Sequence, residues 1–343
     1  MAKIGIIILQ LAVFILAAPF LSGLITKIKN NLRMRRGESV LQPYYNLTKL
    51  FSKEEVVSDT TSWIFKAAPF IAFASSLAAA LLIPVFIFPA PLHIAGDFLA
   101  VIFIFALGRF FLALAALDAG SSFGGMGSSR EMFISSLVEP ALCMVIFALF
   151  LQFGSTDISA FSASHAVSVS CLVAALALFF VSLAETARIP VDNQETHLEL
   201  TMIHEAMVLE YSGRPLALIE MASYIKQMIF FFLIAQIVFP ICLPAGQAGL
   251  PSFGNLTQVF SWVLWYLARI IIISIITALV EVSMAKMRLF RVADFLGFGF
   301  VLAIIASESV NPMLSPCIAG IIYNVRASSR HEKAYNSVAA GLY

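Results

Sequence analysis

Eight apolar runs, each about as long as a bilayer is thick, decide what this chain can become. They lie near 4–25, 67–88, 98–117, 133–153, 166–185, 221–243, 259–280 and 293–312. A helix of about 20 apolar residues crosses the hydrocarbon core, where every backbone N–H and C=O must be satisfied within its own segment. The runs therefore predict an all-α, polytopic integral membrane protein of about eight transmembrane helices with acidic cytoplasmic loop helices. Composition agrees. Of 343 residues, 60% are hydrophobic and 12% charged, with a mean hydropathy of +0.94, whereas a soluble domain carries about a quarter charged residues. The first run is long enough to span and is followed by many basic residues, so it is expected to be a transmembrane helix and not a signal peptide. No repeat or Gly/Ser linker divides the sequence, and 1–343 is expected to form a single transmembrane domain.

The connections sort by charge. The first, third, fifth and seventh loops carry 14 Lys and Arg, eight of them between Lys27 and Lys66, followed by Arg130, Arg188, Arg214, Lys286, Arg288 and Arg291; the second, fourth and sixth carry none. The positive-inside rule puts the odd loops in the cytoplasm and the N-terminus outside a cytoplasmic (inner) membrane. The tail, with Arg326, Arg330 and Lys333, raises a ninth crossing near 313–323, but that run is short and contains Pro316. Within the first loop, LQPYYNLTKLF mixes apolar and polar positions with Pro43 in an acceptable first turn. It fits a helix lying on the membrane surface, or one packed on the protein's own loops.

Acid is scarce and concentrated. Glu185, Asp192, Glu195, Glu199, Glu205 and Glu210 fall within 26 positions of AETARIPVDNQETHLELTMIHEAMVLEYSG, residues 184–213. Pro190 should stop the helix that carries Glu185, and Asp192 with Glu195 has the spacing of a capping box that starts another. On that next helix Glu195, Glu199 and Glu210 share one stripe, while His204 and Glu205 point elsewhere. Carboxylates crowded on a shielded face hold protons, so the stripe is a candidate proton-loading site. Further charges fall inside the runs: Arg109 in the third, Glu139 before Pro140 in the fourth, Arg269 in the seventh and Glu308 in the eighth. Asp118, Glu185, Glu220, Lys226, Glu281 and Asp294 lie near span ends. An ionisable group at the bilayer centre costs about 2.5–3.5 kcal/mol to insert, so such groups face a wet or paired interior.

Other chemistries fail on their own motifs. His204-Glu205 opens like HExxH, but position 208 is Val. Residues 123–127, Phe-Gly-Gly-Met-Gly, lack the Lys-Ser/Thr ending of a P-loop and are expected to form a flexible loop. Cys143, Cys171, Cys242 and Cys317 stand alone, so neither an iron–sulfur nor a zinc site is expected on this chain. No basic patch interleaved with aromatics points to nucleic acid.

AETARIPVD and LEYSG resemble the signature of the subunit 1 family of respiratory complex I. RRGESVLQPYYNLTKLF, FKAAPF, LVEP and EVSMAKMRLFR resemble that family's elements at the matching places, so the resemblance covers most of the chain. ARIPVDNQETHLELTMIHEAMVLEYSGR and LALDAGSSFGGMGSSREM are closer to the branch in group 4 membrane-bound [NiFe] hydrogenases, represented by formate hydrogenlyase subunit 4 and hydrogenase-4 component C. The glycine-proline motif of the quinone-reducing branch reads Gly37-Glu38 in this chain.

The resemblance implies a membrane subunit that anchors a soluble arm and couples its electron transfer to proton or sodium translocation. Its expected partners are the [NiFe] hydrogenase large and small (iron–sulfur) subunits at the cytoplasmic face, antiporter-like membrane subunits and the lipid bilayer. Iron–sulfur clusters and the [NiFe] centre would sit on those partners, with no cofactor bound by this chain. Glu139, Glu185, Asp192, Glu195, Glu199 and Glu210 are the implied relay, with Arg109, Asp118, Glu205, Arg269 and Glu281 as further candidates. A quinone-binding subunit of NADH:quinone oxidoreductase and a stand-alone secondary ion transporter are the alternatives.

Overall fold

The computed structural model describes residues 2–58, 61–84, 98–158, 168–192, 202–239 and 256–310. Among them the secondary structure is helical: α1 Ala2–Leu32, α2 Gln42–Ser52, α3 Trp63–Leu82, α4 Phe98–Asp118, α5 Ser122–Phe153, α6 Val169–Glu185, α7 His204–Val208, α8 Gly213–Val238, α9 Leu256–Ser283 and α10 Leu289–Val310. Seven of these are long and apolar enough to cross a membrane, and α6 is an apolar helix of 17 residues that accounts for the remaining expected span. The protein is a multi-pass membrane protein. The ninth crossing considered near 313–323 lies outside the described residues.

Starts and stops follow local chemistry. Ser62, Ser121 and Ser168 each accept a hydrogen bond from a backbone N–H two or three residues into α3, α5 and α6, the usual satisfaction of an orphan donor at a helix N-terminus. α5 ends on Gly154 with φ 70°. The prolines inside spans, Pro19, Pro69 and Pro140, are compatible with membrane helices because neighbours re-satisfy the freed carbonyls.

The glycine-rich stretch departs from expectation: residues 123–127 are the first turns of α5, not a loop. Their lack of side chains allows close approach. A Cβ on Gly124 would meet the Ala116 carbonyl oxygen at 2.6 Å, and one on Gly127 would meet the Ala206 methyl at 2.8 Å. The stretch is therefore a packing surface.

α8 is the central helix. It packs against α1, α2, α3, α6 and α9, and its Phe230, Phe231 and Phe232 are each 1% exposed. α10 closes the far side on α5 and α6, and the short α7 rests on α4 and α5. α2 lies along α1 and α8. Its Leu47 is buried, while Leu41, Tyr45 and Phe51 face outward, and the Tyr44 hydroxyl donates to the Leu16 carbonyl within the first span. One face of α2 thus packs on the protein, and the other exposes a mixture of Tyr45 and Phe51 with Asn46, Thr48 and Lys49.

Candidate functional site

Four helices each bring one charged side chain to the same place, three of them largely enclosed and Glu139 half-exposed at its outer edge. Arg109, on α4 and 8% exposed, donates to Glu185 Oε1 at 2.6 Å and to Glu139 Oε1 at 2.7 Å. Lys226, on α8, donates to the other oxygen of Glu185 at 2.5 Å and lies over the Phe105 ring. Ser135 donates to Glu139 across one turn of α5. Two cations therefore face two carboxylates, and loss of either acid's charge leaves a cation without its full complement. Such burial is tolerable because each charge is paired and hydrogen-bonded.

The chain continues past Glu185 through a tight segment ended by the cis Ile189–Pro190 bond. Arg188, three residues on, turns to the other side. It donates to Glu281 Oε1 on α9 at 3.3 Å, to Gln227 Oε1 on α8 at 2.8 Å and to Ser22 on α1 at 3.2 Å. Glu281 is 1% exposed and also pairs with Lys29 of α1 at 3.3 Å. Consecutive residues of α8, Lys226 and Gln227, thus hold Glu185 and Arg188. The result is one string across the bundle, running Glu139, Arg109, Glu185, Lys226, then Gln227, Arg188, Glu281 and Lys29.

Two recesses flank it. A small cleft of about 60 Å³ beside the first half is lined by Arg109, Glu131, Glu185, His204 and Lys226. A larger chamber of about 500 Å³ lies beside the second half, bounded by the end of α1, residues 35–39, the start of α2, residues 187–192, Tyr224 and Glu281.

Sequence reasoning identified half of this string. Arg109, Glu139, Glu185 and Glu281 come together as members of it. Asp192 sits nearby, 2% exposed, where it pairs with Lys286 at 2.7 Å and accepts from the backbone N–H of Ile203 and His204. It does act at a helix start, but at that of α7. Glu195 and Glu199 lie outside the described residues. The expected single stripe is not present: Met202 and Ile203 interrupt the helical backbone, α7 covers only 204–208, and Glu210 is exposed in the turn beyond it. No continuous helix can therefore align Glu210 with the other two. His204, expected to point away, lines the cleft, and Glu205 is half-buried on α7.

Two further candidates have other surroundings. Asp118 accepts from the Ser62 backbone N–H at 2.7 Å, tying the end of α4 to the start of α3. Arg269 is buried on α9, where it stacks over Tyr266 and donates to the Phe239 carbonyl at 2.5 Å. Next to the cleft's floor, Tyr211 stacks on Phe65 with ring centroids 4.1 Å apart and donates to its carbonyl. Burial, and then the Asp118 charge, push the Tyr211 phenol above its ordinary range, so it stays a donor. The residues that sequence missed are Lys29, Arg188 and Gln227, while Lys226 was noted as a charge near a span end without a role. Among the described residues no group of three or more His, Cys, Asp or Glu is placed to hold a metal ion.

Comparison with known proteins agrees with this architecture. The model of the NADH dehydrogenase family matches residues 4–309. The chain is 31% identical to hydrogenase-4 component C of Escherichia coli (strain K12), over 87% of this chain and 92% of that one. It is 30% identical to formate hydrogenlyase subunit 4 of the same organism, over 88% and 97%. It is 29% identical to NADH-ubiquinone oxidoreductase chain 1 of Salmo salar, over 71% and 75%. In fold it matches a chain of the membrane-bound sulfane sulfur reductase, an archaeal respiratory membrane complex, with a TM-score of 0.72 and 18% identity over 91% of this chain and all of that one. By the extent of the family match and the hydrogenase-type relatives, the chain belongs to the NADH dehydrogenase family of membrane proteins.

Proposed function

We propose that this chain is the membrane subunit of a respiratory-type hydrogenase complex. It anchors a soluble [NiFe]/iron–sulfur arm at the cytoplasmic face and couples electron transfer in that arm to movement of protons, or of sodium ions, across the cytoplasmic membrane, with its own N-terminus outside. The single observation that carries the coupling is the string of charges through the bundle, from the half-exposed Glu139 to the buried Lys29. A scaffold needs no alternating cations and acids through its core, and each such group is costly to insert. The hydrogenase-4 and formate hydrogenlyase relatives support the choice of arm. Antiporter-like membrane subunits are the expected neighbours, and the redox centres belong to the soluble partners.

In this mechanism the acids of residues 185–210, Glu185 and Asp192 together with Glu195, Glu199 and Glu210, respond to charge arriving in the docked arm. A proton gained by Glu185 weakens its hold on Arg109 and Lys226. Arg109 then shifts its weight to Glu139, which passes the change outward to the next membrane subunit.

The test is the complex purified through this subunit and reconstituted into vesicles, with hydrogen evolution and ion movement measured together. Glu139→Gln and Glu199→Gln should assemble and evolve hydrogen while ion movement falls about tenfold or more. Normal pumping by both assembled variants would overturn the coupling role. Flavin in the product with quinone-dependent NADH oxidation would move the chain to the quinone-reducing branch, and transport by the bare subunit would make it a stand-alone transporter.

A further inference from the structure

The cleft beside Glu185 holds two titratable side chains that the charge string does not use, His204 of α7 and Glu131 of α5. Both are half-buried, whereas Glu185 behind them is almost wholly enclosed. The backbone sets their places. Asp192 accepts from the N–H of Ile203 and of His204 at 3.2 Å each, and Arg130 of α5 donates to the Met202 carbonyl at 3.0 Å. A Cβ on Gly127 would stand 3.1 Å from the Ile203 carbonyl oxygen, so the start of α7 lies directly on α5, one turn before Glu131. The imidazole and the carboxylate therefore enter the cleft from adjoining helices.

The other charges around the cleft are already engaged. Arg109 of α4 and Lys226 of α8 both hold Glu185 of α6, and Glu205 of α7 and Glu220 of α8 act on one another outside the lining. Among the described residues no hydrogen bond or ion pair takes up the His204 imidazole or the Glu131 carboxylate. Ser75, Ser76, Thr186 and Ser223 complete the polar wall. Each of these hydroxyls donates to a carbonyl three or four residues back, which leaves its oxygen as an acceptor for water. At about 60 Å³ the cleft has room for about four waters with polar partners on every side. Glu131 also opens a stripe: Glu131, Ser135 and Glu139 follow one another at four-residue spacing along α5, and Ser135 donates to Glu139 at 3.2 Å. The cleft thus adjoins both acids of the first half of the string, Glu185 at its wall and Glu139 along α5.

We propose that His204 and Glu131 are the proton entry to the charge string, a role that rests on the coupling function proposed above. His204 takes a proton from bulk water at a ring nitrogen and gives it, through water in the cleft, to the Glu131 carboxylate; the imidazolium returns to neutral imidazole and the carboxylate becomes the acid. Glu131 then gives that proton through water to Glu185 and returns to the carboxylate. One proton moves and no electrons do. Histidine suits the outer position because it is the side chain that takes up and gives back protons around neutral pH. The step supplies the proton whose arrival at Glu185 loosens Arg109 and Lys226.

The experiment uses the complex purified through this subunit and reconstituted into vesicles, with hydrogen evolution and ion movement read together. In H204A and in E131Q the ions moved per hydrogen evolved should fall about tenfold, less than the hundredfold that a positioned proton-transfer group can contribute, because cleft water bypasses each in part. E131D should keep part of the ratio, and E55Q, which removes an exposed acid outside the cleft, should leave it unchanged. Imidazole added to the buffer should restore H204A and not E131Q. Pyrazole, of the same size but not protonated at neutral pH, should restore neither. A loss in H204A that imidazole does not restore would make His204 a structural part and overturn its role. Wild type that pumps, beside H204A and E131Q that pump equally well, overturns this proposal alone and leaves the coupling reading standing. Wild type that evolves hydrogen without moving ions overturns the coupling reading, and this proposal with it. If H204A does not assemble, E131Q decides the matter by itself.

Discussion

Glu185 is the residue on which most depends, because it accepts from both Arg109 and Lys226 and is almost wholly buried. Glu185→Gln should destabilise the protein by about 3–5 kcal/mol, the usual result of leaving buried cations unpaired, read as a lower melting temperature in detergent. Glu185→Gln combined with Lys226→Met should recover part of that loss, since the leftover charge goes with the lysine, yet ion movement should stay low. A double variant no more stable than the single would show that Lys226 is not held by Glu185. Glu281→Gln, which removes an ion-pair partner from both Arg188 and Lys29, should be as costly as Glu185→Gln. At this scale sequence showed the acids and Arg109, noted Lys226 only as a charge near a span end, and read Lys29 and Arg188 as ordinary loop cations. Charges inside an apolar run are conspicuous, whereas Lys29 and Arg188 sit just beyond run ends, where a cation is the ordinary mark of the cytoplasmic side. Only the burial of Lys29, 3% exposed, distinguishes a network member from a topology marker.

Among the elements, the long helices were legible and the short connections were not. Apolar length and serine caps locate the spans to within a turn or two, because in lipid the backbone has no alternative to the helix. The acidic stretch after Pro190 reads as one amphipathic helix and is not one, since local periodicity cannot reveal that Asp192 reaches forward to cap α7. The glycines of α5 read as a loop because composition reports flexibility and not proximity. Gly127→Val should push α7 off α5, at a cost of about 1–3 kcal/mol for overpacking. Faster proteolysis within 202–212 is the expected sign, and unchanged cleavage would show that α7 is held by other contacts. Gly213 adopts φ 57° with its α-hydrogen turned to the Glu54 carbonyl, 2.6 Å from where a Cβ would stand. Gly213→Ala should therefore cost more than a surface change, about 1–3 kcal/mol, by the same melting assay.

For the molecule as a whole, the outer face of α5 is the most informative surface. The Glu139 side chain is 44% exposed on a helix whose Phe133, Phe147 and Phe150 also point outward. A half-exposed carboxylate at membrane depth does not face lipid tails without a penalty, so another membrane subunit should cover it. Ser136→Cys is expected to cross-link to a neighbouring subunit in native membranes; labelling of that cysteine by a lipid-soluble reagent in the intact complex would count against the interface. The segment between Glu185 and Arg188 has its own consequence. Glu185 and Arg188 are three residues apart, and their partners Lys226 and Gln227 are consecutive on α8, so whatever moves either backbone moves both clusters, like the two pans of one balance. Equilibrium then requires reciprocity: the factor by which neutralising Glu281 changes the proton affinity of Glu185 equals the factor by which neutralising Glu185 changes that of Glu281.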